Sequence, residues 1–316
     1  MILNIILIVI GIVLVVKGAD WLTNGAVSVA TKLHISQMVI GLTIVAMGTS
    51  MPEFCVSFVS ALKGTPDLAV GNVVGSNIFN ALLIVGVAAM VAPMAIMKKT
   101  VKVDIPVGVV ASLLLLILCL DGSISRFDAG AMFLLFLMYM YYTVKGAKKG
   151  SADSSSSATV YSGWKSALLM VVGLAGLIGG SEVFVEGATK VAQALGVSDA
   201  IIGLTIVAGG TSLPELATSV VSARKGNSGI AIGNVLGSNI FNILMILGVT
   251  GLISPMSYSG ITLVDMSVMV VSMLLLWMFS FTKYTVARWE GVVLVLIFLA
   301  YLTYLVMGAM GHPWFS

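Results

Sequence analysis

Two stretches of this chain are near copies of each other, and that duplication limits the possible folds more than any other feature. Residues 41–93 and 203–255 align without a gap, with about 32 of 53 positions identical. Each residue of the second copy stands 162 positions after its counterpart, as Glu215 does after Glu53. The first copy holds GTSMPE (48–53) and GNVVGSNIFN (71–80); the second holds GTSLPE (210–215) and GNVLGSNIFN (233–242). Both set a Pro-Glu pair and a row of Ser, Thr and Asn inside otherwise apolar sequence. The function is expected to reside there.

The apolar surroundings decide the class. Of 316 residues, 59% are hydrophobic and only 9% charged, with a mean hydropathy of +1.12. A soluble domain carries about 25% charged residues, so this chain is built for lipid. A net charge of +3 is too small and too dispersed to suggest nucleic acid. The two cysteines, Cys55 and Cys119, have no metal-ligand spacing and read as buried small hydrophobes. The apolar start at residues 1–16 lacks the basic lead of a signal peptide and reads as a retained helix.

Crossing a bilayer takes about 20 apolar residues per helix, and only helices or closed barrels satisfy the backbone in lipid. Ten such segments are expected, at roughly 2–30, 36–62, 68–92, 103–121, 127–145, 164–192, 199–223, 230–254, 261–281 and 287–309. The expected fold is therefore an all-α polytopic membrane protein. With the N-terminus placed outside, twelve Lys and Arg residues fall in cytoplasmic loops and three (Lys63, Arg126 and Lys190) on the other side. That bias predicts extracellular N- and C-termini. Five helices separate each element from its repeat partner, and an odd number reverses direction through the membrane. Residues 1–145 and 164–316 are then two inverted five-helix repeats, joined by a polar cytoplasmic linker at 146–163 that contains SADSSSSA.

The motifs carry the chemistry. Pro52 lacks an N–H and displaces the carbonyl of Gly48, so the helix must kink or break beside Glu53. Pro214 does the same beside Glu215. Breaks within a membrane are tolerated where they line a wet or protein-buried cavity, and freed carbonyls there can serve cations. A carboxylate at the bilayer centre costs about 2.5–3.5 kcal/mol on insertion scales. Two occur here at symmetric positions, with no Lys or Arg at comparable depth. A bound cation is the simplest counter-charge; two protonated glutamates bonded across the repeat interface are the bland alternative.

In the second motif, Asn72, Ser76 and Asn80 recur every four residues on one helix face, as do Asn234, Ser238 and Asn242. Gly71, Gly75, Gly233 and Gly237 are expected to admit a close helix neighbour. Asn72 and Asn234 read equally as structural glue or ligand; Ser76, Ser238, Asn80 and Asn242 favour ligand. The donors are hard oxygens throughout, which select Ca²⁺, Na⁺ or Mg²⁺ over zinc or copper. Six to eight oxygens suit Ca²⁺, and several Na⁺ could occupy the same charge.

The paired motifs resemble the two alpha-repeats of the sodium/calcium exchanger family, in the cation/Ca²⁺ exchanger superfamily, and the likeness extends over nearly the whole chain. The resemblance implies antiport of Na⁺ against Ca²⁺ by a minimal prokaryotic member. It implies that Glu53 and Glu215 bind both ions, and that Thr49, Ser50, Ser76, Thr211, Ser212 and Ser238 contribute mainly to Na⁺. The carbonyls of Ala46 and Ala208 and the amides of Asn80 and Asn242 would complete the set. It also implies that the first and sixth helices slide over the other eight. Asn242 stands where some relatives and the K⁺-dependent branch carry Asp, which argues against K⁺ co-transport.

The rival within the superfamily is a Ca²⁺/H⁺ antiporter, since two glutamates can carry protons; the repeated Thr and Ser oxygens favour Na⁺. An intramembrane enzyme would need a nucleophile with a base, and His34 and His312 fall outside the core on opposite sides. A passive channel fits poorly with inverted repeats around a central site. No cofactor is expected, Ca²⁺ and Na⁺ being cargo. The chain is expected to act as a monomer in the cell membrane. Asp20 and Glu182, which are repeat partners, read as interfacial helix residues. Asp104, Asp121, Asp128, Asp265 and Glu290 read as solvated groups near span ends. Trp164, Trp277, Trp289, Trp314 and Tyr139–Tyr142 read as interfacial belt.

Overall fold

The computed structural model describes residues 1–147, 160–196, 202 and 206–310. It is helical almost throughout, as a chain that must satisfy its own backbone in lipid requires. The first half runs α1 (Ile2–Leu33), α2 (Gln37–Thr49), α3 (Met51–Leu62), α4 (Pro66–Val91), α5 (Thr100–Asp121) and α6 (Arg126–Ala147). The second half runs α7 (Gly163–Ala194), α8 (Ala208–Thr211), α9 (Leu213–Arg224), α10 (Ser228–Ile253), α11 (Leu263–Ser280) and α12 (Arg288–Ala309). Eight of these helices are long and apolar enough to cross a membrane, and α2 with α3 forms a ninth span bent by 47°. The expected span at 199–223 falls partly outside the described residues. The expected linker lies mostly outside them, and His312 and Trp314 wholly so.

Proline and capping residues set the helix ends. Pro52 and Pro214 sit in the first turns of α3 and α9, where a missing N–H costs nothing. The chain breaks just before them, at Ser50 (φ −82°, ψ 10°) and Ser212 (φ −90°, ψ 5°). Thr262 and Asp265 form a reciprocal capping box at the start of α11. π-Helical turns interrupt α2 at Gly41–Val45, α4 at Phe79–Ile84 and α10 at Phe241–Ile246. The last two lie 162 residues apart and carry Asn80 and Asn242.

The two central helices are α4 and α10: buried positions make up 72% and 94% of their spans, against 22% in α1 and α7. Their apolar residues join those of α5 and α11 in one core that includes Val73, Ile78, Ile105, Leu115, Ile240 and Met273. By contrast α1 presents Ile5, Val9, Ile12, Val13 and Val16 outward, the composition of a lipid-facing surface. Where α1 meets α7, the seam is glycine. Cβ atoms placed on Gly11, Gly18 and Gly25 would come within 2.7 Å of Phe184, 2.6 Å of Gly173 and 2.7 Å of Met170. The partner numbers fall as the glycine numbers rise, so the two helices run antiparallel with their backbones nearly touching. Gly173, Gly180 and Gly187 return the same contacts from α7.

Two short antiparallel ladders tie the halves together. β1 (Met94–Ala95) pairs with β4 (Thr285–Val286), and β2 (Ser123–Ile124) with β3 (Met256–Ser257). Met94 and Met256, like Ser123 and Thr285, are 162 residues apart. Each ladder is thus the repeat image of the other.

Several sequence expectations need correction. Asp104, Asp265 and Glu290 are buried rather than solvated. Asp265 accepts from Thr262 N, Thr262 Oγ1 and, at 2.7 Å, Tyr301 OH; Glu290 accepts from Ala287 N at 2.7 Å. Asp265 and Glu290 cap helix N-termini, whose free N–H groups compensate the loss of water. Cys55 is exposed, because it lies on the outer side of α3; only Cys119 is buried. Trp277 is turned inward far enough to donate to Val101 O at 2.8 Å. Asp20 pairs with Lys225, while its counterpart Glu182 has no ion pair among the described residues.

Candidate ion-binding site

The two Pro-Glu breaks meet at the centre of the molecule. Glu53 and Glu215 open α3 and α9, and each is only 1% exposed. They are bound crosswise by the serine at the opposite break. Ser50 Oγ donates to Glu215 Oε1 at 2.7 Å, and Ser212 Oγ donates to Glu53 Oε1 at 3.0 Å. Ser76 Oγ lies 3.3 Å from Ser212 Oγ, and Ser238 Oγ donates to Glu215 Oε1 at 3.4 Å. All six hydroxyl residues expected from the sequence lie in this centre together: Ser50, Ser76, Ser212 and Ser238 by these contacts, Thr49 beside Glu215 and Thr211 beside Glu53.

Each carboxylate is held by a second tier that was only half legible. Asn72 Nδ2 donates to the main-chain O of Glu53 (3.1 Å) and to Ser57 Oγ (2.9 Å). Asn234 Nδ2 repeats this on Glu215 O (3.2 Å) and Ser219 Oγ (3.0 Å). Both amides thus clamp a broken helix start onto the motif helix beside it, as the structural reading of these residues expects. Asn234 Oδ1 also accepts from Thr49 Oγ1 at 3.0 Å. Ser57 and Ser219 were not anticipated, although their repeat spacing would have flagged them.

The halves differ in enclosure. Ala46 and Thr49 are fully buried, whereas Ala208 is exposed and Thr211 only partly covered. Thr49 Oγ1 lies 3.3 Å from Ala46 O, and Thr211 Oγ1 lies 3.2 Å from Ala208 O, so the local turn is the same. What differs is the packing around it. A Cβ on Gly237 would meet Ala46 Cβ and Leu42 O at 2.6 Å, and one on Gly233 would meet Met38 O at 2.7 Å. On the first copy, Gly71 has only Ile261 Cδ1 at 3.1 Å, and Gly75 has no described atom within 4 Å. The close neighbour of Gly233 and Gly237 is α2; the repeat counterparts of Met38, Gly41 and Leu42, at positions 200, 203 and 204, lie outside the described residues. Among the described residues, the centre is covered along α2, whereas Val207 and Ala208 on the α8 side are exposed.

The unpaired atoms say what the centre can hold. Glu53 Oε2, Glu215 Oε2, Asn80 Oδ1 and both amide atoms of Asn242 are buried with no hydrogen-bond partner. Buried polar atoms are seldom left so, and here most are acceptors. Neither glutamate forms an ion pair among the described residues. Carboxylate, amide and hydroxyl oxygens without a basic residue form a donor set that fits a hard cation.

Comparison with known proteins agrees with this chemistry. The model of the sodium/calcium exchanger protein family matches the chain twice, over residues 3–145 and 165–307. A putative antiporter, CaxA, of Alkalimonas amylolytica is 44% identical over 79% of this chain and 81% of its own. The sodium/calcium exchanger MaX1 of Methanosarcina acetivorans is 35% identical over 96% of this chain and 98% of its own. Among solved structures, the sodium–calcium exchanger NCX_Mj soaked with Na⁺ and Sr²⁺ superposes with a TM-score of 0.84. It shares 34% identity over 96% of this chain and 98% of that one. The duplicated motifs, the multi-span helical fold and these relatives together place the chain in the sodium/calcium exchanger family, as a membrane transporter and not an enzyme.

Proposed function

We propose that this protein exchanges Na⁺ for Ca²⁺ across the cell membrane by alternating access. Its ten spans would form two inverted five-helix repeats with both termini outside. The observation that carries the reading is the pair of buried, base-free glutamates, each with one oxygen left unbonded and each held by a serine of the other half. Antiparallel packing of α1 on α7, and ladders that exchange under the repeat offset, support the inversion. Glu53 and Glu215 serve both ions, so Ca²⁺ and Na⁺ compete. Ser50, Ser76, Ser212, Ser238, Thr49 and Thr211 supply hydroxyls, Ala46 and Ala208 carbonyls, and Asn80 and Asn242 amide oxygens. In the orientation set by the basic residues, the side of the exposed Ala208 faces outward, which supports access from the exterior.

A filled site neutralises its carboxylates and lets the moving helices pass over it. An empty site presents two bare charges to a dry barrier and opposes that passage, which prevents leak. The test is radioactive Ca²⁺ uptake into Na⁺-loaded proteoliposomes, in K⁺-free buffer at clamped pH. Uptake that requires internal Na⁺ supports the proposal. Uptake indifferent to Na⁺ and driven by an acid interior would reassign the protein as a Ca²⁺/H⁺ antiporter.

A further inference from the structure

Besides Asn234, the duplicated motif places four buried asparagines at the centre: Asn77 and Asn80 on α4, Asn239 and Asn242 on α10. Asn239 Nδ2 faces two acceptors, the main-chain O of Asn77 at 3.4 Å and Met273 Sδ at 3.2 Å. Asn239 Oδ1 accepts from Asn80 Nδ2 at 3.0 Å. Asn80 Oδ1 is left unpartnered. An amide can be turned end for end, but a backbone carbonyl can only accept. The series therefore has one sense. The Asn77 carbonyl requires the amino end of Asn239, the oxygen of Asn239 requires the amino end of Asn80, and the oxygen of Asn80 is left for something positive. Flipping either amide would set two oxygens, or two amino groups, against each other in a buried site.

The repeat image of this series is not made. Asn77 Nδ2 donates back to Val73 O in its own helix at 2.9 Å. Asn77 Oδ1 and both amide atoms of Asn242 have no partner. Part of the cause lies in the sequence, because Ala111 stands at the repeat counterpart of Met273 and offers no acceptor.

We propose that Asn239 is a positioning residue that fixes the Asn80 amide with its oxygen available to the transported cation, while Asn242, with no such partner, turns freely. This deepens the proposed function and rests on it, since it takes Asn80 as an ion ligand. A nearly symmetric motif thereby yields one pre-oriented amide and one adaptable one. The pre-oriented oxygen costs no reorganisation when Ca²⁺ binds.

The test is calorimetric Ca²⁺ titration of the full chain in detergent, comparing N239L, N80A, N80A/N239L and N77L with the wild type. N239A replaces N239L if the larger side chain prevents folding. We expect N239L to weaken Ca²⁺ binding about tenfold, with N80A similar and the double variant no worse than N80A alone. N77L keeps the carbonyl on which the series depends and should change binding less than about twofold. A merely structural role for Asn239 would instead give losses that multiply in the double variant. Multiplying losses, or N239L with wild-type affinity, would overturn the proposal while leaving the exchanger reading intact. A wild type that does not bind Ca²⁺ would overturn both.

Discussion

Gly179 and Gly180 are adjacent in the middle of α7, yet alanine at one should be tolerated and at the other should not. A Cβ on Gly180 would stand 2.7 Å from Leu14 Cβ, 2.9 Å from Val15 N and 3.0 Å from Gly11 O, all on α1. A Cβ on Gly179 would have no described atom within 4 Å. In both variants alanine gains about 1 kcal/mol of helix propensity over glycine, so the difference between them isolates the steric contribution. Relieving the closest contact means parting α1 and α7 by about 0.7 Å, which forfeits a quarter to a half of the attraction along the seam. Overpacking of this kind costs about 1–3 kcal/mol. G180A should therefore melt below G179A by several degrees, at about 2 °C per kcal/mol for a long chain. Intrinsic-fluorescence melts of both variants, in one detergent and at one Na⁺ concentration, would read it. Equal midpoints would refute the inference that backbone contact holds this pair together.

Three further outcomes follow from the site. E53Q and E215Q should each reduce Na⁺-dependent Ca²⁺ uptake by at least about a hundredfold, since ligand charge governs Ca²⁺ affinity; near-normal uptake in either would remove that glutamate from the site. In a C55S/C119S background, A208C should react with a polar maleimide while A46C stays protected; equal labelling would contradict the one-sided opening. K225Q breaks the pairing with Asp20 and the 2.8 Å bond to Asn24, which fasten α9 to α1. These groups are partly exposed, so stability should fall by less than about 1 kcal/mol. The A208C labelling rate should nonetheless drop as α1 is released, and an unchanged rate would show that this contact does not help set the open side.

Much of this architecture is legible in the sequence because membrane helices and repeats both leave strong signals. Long apolar runs marked the eight straight spans and the bent ninth to within a few residues, and Pro52 and Pro214 marked breaks found two residues before each of them. The buried pair of glutamates was legible because a carboxylate among apolar residues has few explanations. What a duplicated sequence cannot carry is the difference between its copies. Ala46 and Ala208 occupy equivalent positions, and only their packing makes one buried and the other exposed. Nor does periodicity tell what an amide will meet: Asn72 and Asn80 share a face, yet Asn72 donates to the main-chain O of Glu53 and Asn80 to the side chain of Asn239. The buried acids Asp104, Asp265 and Glu290 were misplaced for a related reason, since hydropathy does not show what packs over a span end, as Tyr301 does on Asp265.

The small ladders have a consequence for motion. Met94↔Val286 and Ile124↔Met256 stitch the first half of the chain to the second in two separate ladders. Ile96 N bonded to Tyr284 O at 2.8 Å, and Tyr258 N bonded to Gly122 O at 3.0 Å, extend the stitching. Rocking one repeat as a block against the other would tear backbone hydrogen bonds in both ladders at once. The helices they frame are thus better suited to be the stationary part. The α1–α7 pair lies outside that stitching, is fastened within itself by glycine contacts, and meets α9 through Thr23–Ser222, the Lys225 fork and an apolar cluster that includes Ala217 and Val221. As a single shuttle it would uncover one entrance only while covering the other, so the two doors of the cavity would be one moving object.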